Sequence, residues 1–79
     1  MQSFFDKRVP RLDTSLPSVR HVQELIRNRT MVQVTMVGGQ ELVGTIKWQD
    51  SDFLALRQDT NMPLVLISRD AMSMLRAFL

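Results

Sequence analysis

The 79-residue chain contains no cysteine, no tyrosine, one histidine, one tryptophan and three glycines. Without cysteine there can be no disulfide. His21 alone gives no Cys/His spacing for a structural metal. A chain this short buries only about 60% of the surface its unfolded form exposes. Small chains without a staple gain stability by associating, so an oligomer is expected. No apolar run approaches the roughly 18 residues of a membrane span. The opening stretch "MQSFFDKRVPRLD" is charged and interrupted by Pro10, which argues against a secretory signal. A reducing, cytoplasmic setting is therefore expected. Catalysis also lacks its parts. Ser51, Ser68 and Ser73 have no base in sequence context, and Asp50 and Asp52 share one turn instead of facing each other across a cleft. No enzyme, cofactor or metal is expected.

Charge is present but uneven. Residues 1–29 carry six cations against three anions, and residues 30–79 carry four against five. Eight of the ten cations are arginine, whose planar fork suits phosphate and stacking better than lysine does. A solvated helix face with a loose basic tail is the alternative reading of the same charges.

The periodicity then separates one helix from five strands. Residues 1–14 show no period and read as a tail. In "TSLPSVRHVQELIRNR", Val19, Val22, Leu25 and Ile26 recur at three- and four-residue spacing, which makes one apolar stripe. Ser15 is the expected cap, Pro17 suits the first turn, and Arg27 and Arg29 suit the last. From Met31 the period becomes two. "MVQVTMV" and "QELVGTIKWQD" flank the hairpin signal Gly38-Gly39. Gly44 in mid-strand implies a sharp bend or a close backbone approach. "FLALRQ", "LVLIS" and "MSMLRAFL" are three further strands, linked by the loop "DTNMP" and the tight "RDA". An apolar edge such as "LVLIS" is a liability unless paired. Pairing it with the last strand of a second copy, repeated around an axis, closes a ring.

Two blocks carry a resemblance. "VQVTMVGGQELVGTIKWQDSDFLAL" looks like the first Sm motif, and "ISRDAMSML" stands at the place of the second. Together with the preceding helix they resemble the Sm-like proteins, and within them the Hfq family of bacterial RNA chaperones. "LPSVRHVQ" and "WQD" look most like its cyanobacterial branch. The resemblance covers about residues 15–77. It implies a mainly β Sm-like fold over residues 15–79, in which an N-terminal helix precedes a strongly bent five-stranded antiparallel small barrel. It also implies a homohexameric ring closed by the fourth strand against the neighbour's fifth. Three RNA surfaces follow: a proximal face around the pore, a distal face and an outer rim.

Carried over residue by residue, the resemblance gives a mixed picture. Asp50 stands at the family's turn-capping aspartate. Gln49 takes the place of a stacking phenylalanine. Trp48, one step earlier, should face away from Gln49, in register with Leu42 and Ile46. Burial or a subunit contact is then favoured for Trp48 over a base platform. Arg69 stands for the family's pore lysine and Asp70 for its histidine; an Arg69–Asp70 turn pair is the plainer alternative. Thr35 replaces a tyrosine of the distal face, where Gly39 keeps the turn glycine, Glu41 falls where a lysine is common, and Gln33 remains polar. Arg27 and Arg29 align with rim arginines, Ile26 replaces another, Gln23 sits at a polar rim position, and Arg20 and Lys47 can widen the patch. His21 reads as a surface or interface residue.

The expected function is post-transcriptional regulation by a ring that binds small RNA and messenger RNA, with weakened uridine- and adenine-specific sites. Arg27, Arg29 and Arg69, with Arg20, are the candidates for phosphate. Gln33, Thr35 and Gln49 are the candidates for base contacts, and Gln23 is a polar RNA-binding candidate of the rim. The alternative is a ring-shaped scaffold that docks a partner protein and binds little RNA. No membrane partner is expected.

Overall fold

The computed structural model describes residues 12–79. Residues 1–11, most of the expected tail, lie outside the described residues. Helix α1 spans Pro17–Arg27, followed by strands β1 (Met31–Met36), β2 (Glu41–Gln49), β3 (Phe53–Arg57), β4 (Leu64–Ser68) and β5 (Met72–Ala77). A short 3₁₀ turn, Arg69–Ala71, links the last two strands.

Helix α1 starts differently from the expectation. Pro17 occupies its first turn, where the missing N–H costs nothing, but Ser15 does not cap it. The cap position is Leu16, in extended conformation, with no side-chain hydrogen bond. Ser15 instead donates its hydroxyl and its backbone N–H to Asp13 Oδ1, at 2.6 and 2.9 Å. The carboxylate of Asp13 thus competes for the donors of Ser15 and forms a turn ahead of the helix. These two bonds, the hydroxyl first, hold the Asp13 carboxyl below its ordinary pKa.

The five strands form one antiparallel sheet in the order β4-β3-β2-β1-β5. The nine-residue β2 serves both halves of it. Glu41–Thr45 pair with β1, and Thr45–Gln49 pair with β3. Thr45 is the junction, opposite Met31 on one side and Arg57 on the other. Gly44 beside it is sterically required. A Cβ there would strike the Arg57 carbonyl oxygen and lie 2.9 Å from its carbon and 3.0 Å from Gln58 Cα. Backbone cannot retreat as a flexible side chain can, so the close approach expected at this glycine is the reason for it. The hairpin before β2 uses Gly39 at φ 97°, with its N–H bonded to Met36 O at 2.8 Å. Four residues, Val37 to Gln40, with Gly39 in the left-handed region, make the tight connection between β1 and β2.

Alternating residues of the sheet build the core. Val32, Val34, Leu54 and Leu56 are wholly buried, and Leu25, Ile46 and Ile67 close the same cluster. Val22 and Ile26 add the apolar stripe of α1 to it. Each such aliphatic side chain contributes about 1.5–3 kcal/mol by leaving water. The sheet order leaves β4 and β5 as its two edges, each with a neighbour on one side only.

Candidate nucleic-acid interface

Three groups of predicted residues fall in three places. The first runs along α1 to the turn just past its C-terminus. Arg20, Gln23 and Arg27 are exposed and follow one another at three- and four-residue spacing. That spacing puts them on one side of the helix, with Glu24 as the acidic neighbour. Arg29 is not in the last turn but beyond it, past the C-cap Asn28, at φ 54°. Its N–H reaches Ile26 O at 3.2 Å, and the N–H of Thr30 reaches Leu25 O at 3.0 Å. These two bonds define a Schellman termination, whose left-handed position is ordinarily glycine. An arginine there costs about 1–2 kcal/mol of backbone strain, yet its side chain is displayed to solvent.

The second group gathers around Gln49. Its Nε2 donates to Gln23 Oε1 at 2.8 Å and to Val19 O at 3.4 Å. Its Oε1 accepts from Arg69 Nη1 at 2.8 Å. The backbone N–H of Arg69 is held by Asp52 O at 2.9 Å. One chain of hydrogen bonds therefore joins α1, the end of β2 and the 3₁₀ turn. Arg69 points its guanidinium to Gln49, which gives it a different partner from the Asp70 of the turn-pair reading. Both polar ends of Gln49 are engaged, so any base that uses it must exchange with Gln23 or Arg69. What Gln49 does as it stands is orient the arginine. An oriented fork loses less side-chain freedom when it grips a ligand.

Asp50 performs the capping expected of it. Its Oδ1 accepts from the N–H of Asp52 at 2.9 Å and of Phe53 at 2.7 Å, and its own N–H bonds Phe53 O. Trp48 is not in register with the buried Ile46. A β-bulge between Ile46 and Trp48 inserts Lys47 without a partner, so Ile46 faces Leu56 and Trp48 faces Ala55. One extra residue reverses the alternation. The indole is consequently 40% exposed instead of lying beside the core.

The third group lies on the sheet face opposite Val32 and Val34. Gln33 pairs with Val43 on one side and Arg76 on the other. Thr35 pairs with Glu41 and Met74, and its carbonyl accepts the Ser73 hydroxyl at 3.1 Å. Sequence reading passed over Arg76 here. Only the β1–β5 register places this exposed cation beside Gln33, and no motif announces it. Among the described residues, no group of three His, Cys, Asp or Glu side chains is placed to hold a metal ion. No helix among them is long and apolar enough to cross a membrane.

A helix packed on a five-stranded antiparallel sheet whose second strand bends at glycine is the architecture of the Sm-like proteins. The chain belongs to the Hfq-related family, which matches residues 16–77. Among solved structures, an Hfq protein from Anabaena sp. is 27% identical, with a TM-score of 0.72, and the alignment covers 80% of this chain and 98% of that one. A second structure, described as the pleiotropic translational regulator Hfq, superposes at a TM-score of 0.74 over 85% of this chain and 98% of the other. At 19% identity that likeness shows the fold alone. No curated protein matches the chain.

Proposed function

We propose that this protein is an RNA-binding post-transcriptional regulator that acts in the cytoplasm as a homohexameric ring. The family match over residues 16–77 carries the reading. The open edges β4 and β5 support the ring, because pairing one with the other in an adjacent copy completes both and repeats around an axis. Arg27 and Arg29 contact phosphates of single-stranded small RNA and messenger RNA, extended by Arg20. Arg69, aimed by Gln49 and Gln23, is the cation nearest the ring axis in this arrangement. Gln33 and Thr35 offer hydrogen bonds to bases on the other face. With no aromatic at 35 or 49, stacking is lost and discrimination between uridine- and adenine-rich RNA is weak. Six copies of a modest cationic patch still bind tightly, because later contacts form at high effective concentration. The ring works by concentrating and screening paired RNAs, without bond chemistry.

Binding of uridine-rich and adenine-rich oligomers across a salt series tests the reading. Submicromolar affinity that falls steeply with salt is expected, together with loss of binding in the Arg27→Ala, Arg29→Ala double variant. Affinity no better than generic polyanion attraction, with a protein co-purifying in fixed ratio, would instead identify a protein-docking scaffold.

A further inference from the structure

A groove of about 270 Å³ opens between β2, the start of β1 and the loop that follows β3. Lys47 and Arg57 line it together with Thr45, Thr60, Met31 and Asp59. It involves neither the helix end nor the Gln49 chain. We propose that this groove holds a single nucleotide unit, with its phosphate between Lys47 and Arg57.

Three features of the fold converge on this place. The bulge in β2 falls at Lys47, and bulges characteristically re-aim a side chain beside a site. Gly44 lets the backbone of Arg57 and Gln58 close onto β2, which forms the wall on that side. Thr45 lies directly between Met31 and Arg57 in the sheet. The row from Met31 to Arg57 crosses three strands, roughly 10 Å at the usual spacing. That is comparable to the reach of a nucleotide from base to 5′-phosphate. Met31 is 44% exposed and presents a polarizable thioether for a base. Thr45 offers a hydroxyl beneath the sugar.

The charges fit an anion. Two cations share the groove with one carboxylate, an excess of one positive charge, and one oxygen of that carboxylate is engaged locally. Asp59 Oδ1 accepts the N–H of Thr60 at 2.6 Å and its hydroxyl at 3.3 Å. Arg57 has one long bond, from Nη1 to Met62 O at 3.4 Å, which leaves the remainder of its fork for a phosphate. The volume falls just below the usual range for ligand sites, which limits the occupant to one nucleotide unit and leaves no room for a dinucleotide. The phosphate can come from a free nucleoside monophosphate or from the phosphorylated end of an RNA.

The test is a proton–nitrogen correlation titration of the intact protein with adenosine 5′-monophosphate, adenosine and inorganic phosphate. The monophosphate should shift the amides of Thr45, Lys47, Arg57 and Thr60, and adenosine should bind at least about tenfold more weakly. Lys47→Gln should lower the monophosphate affinity roughly tenfold, and the same spectra report whether the variant is folded. Arg57→Lys keeps the charge but loses the fork, and should cost several-fold. Shifts confined to other residues, or undiminished affinity in Lys47→Gln, would overturn the proposal. Hexanucleotides with and without a 5′-phosphate separate the two sources. Preference for the phosphorylated one assigns RNA ends; equal binding alongside monophosphate binding assigns the free nucleotide. Lys47 can also widen the patch of Arg27 and Arg29, so long-RNA binding is measured in parallel. Lost long-RNA binding with monophosphate binding at the groove retained fails the rim reading alone. Absent monophosphate binding with long-RNA binding retained fails this one alone.

Discussion

Strands β3 and β4 are paired neighbours of equal length and similarly apolar character, FLALR and LVLIS, yet their fates differ. In β3, Leu54, Ala55 and Leu56 have no exposed surface. In β4 only Ile67 is buried, while Leu64 is 38% and Leu66 51% exposed. Composition does not explain the contrast. Strand β3 lies between two strands, whereas β4 has a partner on one side only. On the proposed ring, the apolar surface of β4 is the surface a second copy would cover. Both strands feed one core, Leu54 and Leu56 from β3 and Ile67 from β4, but only β4 also carries apolar surface that the proposed association would bury.

Four changes would break or sharpen that contrast. Leu54→Ala should have the largest effect on the chain itself, about 2–5 kcal/mol, through lost burial and the cavity left behind. Thermal unfolding followed by circular dichroism measures it, and a loss below about 1 kcal/mol would show that β3 is less constrained than its burial implies. Leu66→Lys should change the stability of the isolated chain little, within about 0.5 kcal/mol, as for other exposed sites. It should nevertheless convert the assembly to single chains in sedimentation at micromolar concentration. A ring that survives the lysine would place the interface elsewhere.

Arg29→Gly separates stability from binding. Glycine relieves the left-handed strain at the helix end, so stability should hold or rise by up to about 1 kcal/mol. RNA affinity should fall several-fold in the same protein. A drop in stability with unchanged affinity would make Arg29 a structural residue. The smallest effect belongs to Ser15→Ala. It removes the hydroxyl that depresses the Asp13 carboxyl, whose titration followed by NMR should move back up. Because that carboxyl is depressed in the folded protein, its contribution is present above its unfolded value and is lost as pH falls through the folded one. Asp13 is exposed, so stability near neutral pH should scarcely change in the variant.

Much of the fold was legible because its local signals agree with one another. The helix stripe, the switch to period two at Met31, the glycine hairpin and the turn aspartate each pointed to the element found there. Three readings failed: Arg29 lies past the last turn of α1, and Ser15 and Trp48 differ for reasons local pattern does not carry. Ser15 lost its capping role to Asp13, which takes both of its donors. Trp48 left the face of Ile46 because of a bulge, and bulges leave no trace in alternation. The candidate interface was legible as a set of residue types. That Gln23, Gln49 and Arg69 are bonded to one another was not, because they are 20 and 26 residues apart along the chain. Arg76 became visible only through the register of β1 against β5.

By itself the sequence determined the order and kind of the elements, the absence of cysteine chemistry, and a glycine at the bend of β2. These follow from local propensity and period, which act over a few residues. Only the tertiary structure decided which side chains meet: the aiming of Arg69 by Gln49, the groove that Lys47 shares with Arg57, and the bare edge of β4. Those outcomes depend on strand register and sheet order, where a slip of one residue sends every side chain to the opposite face.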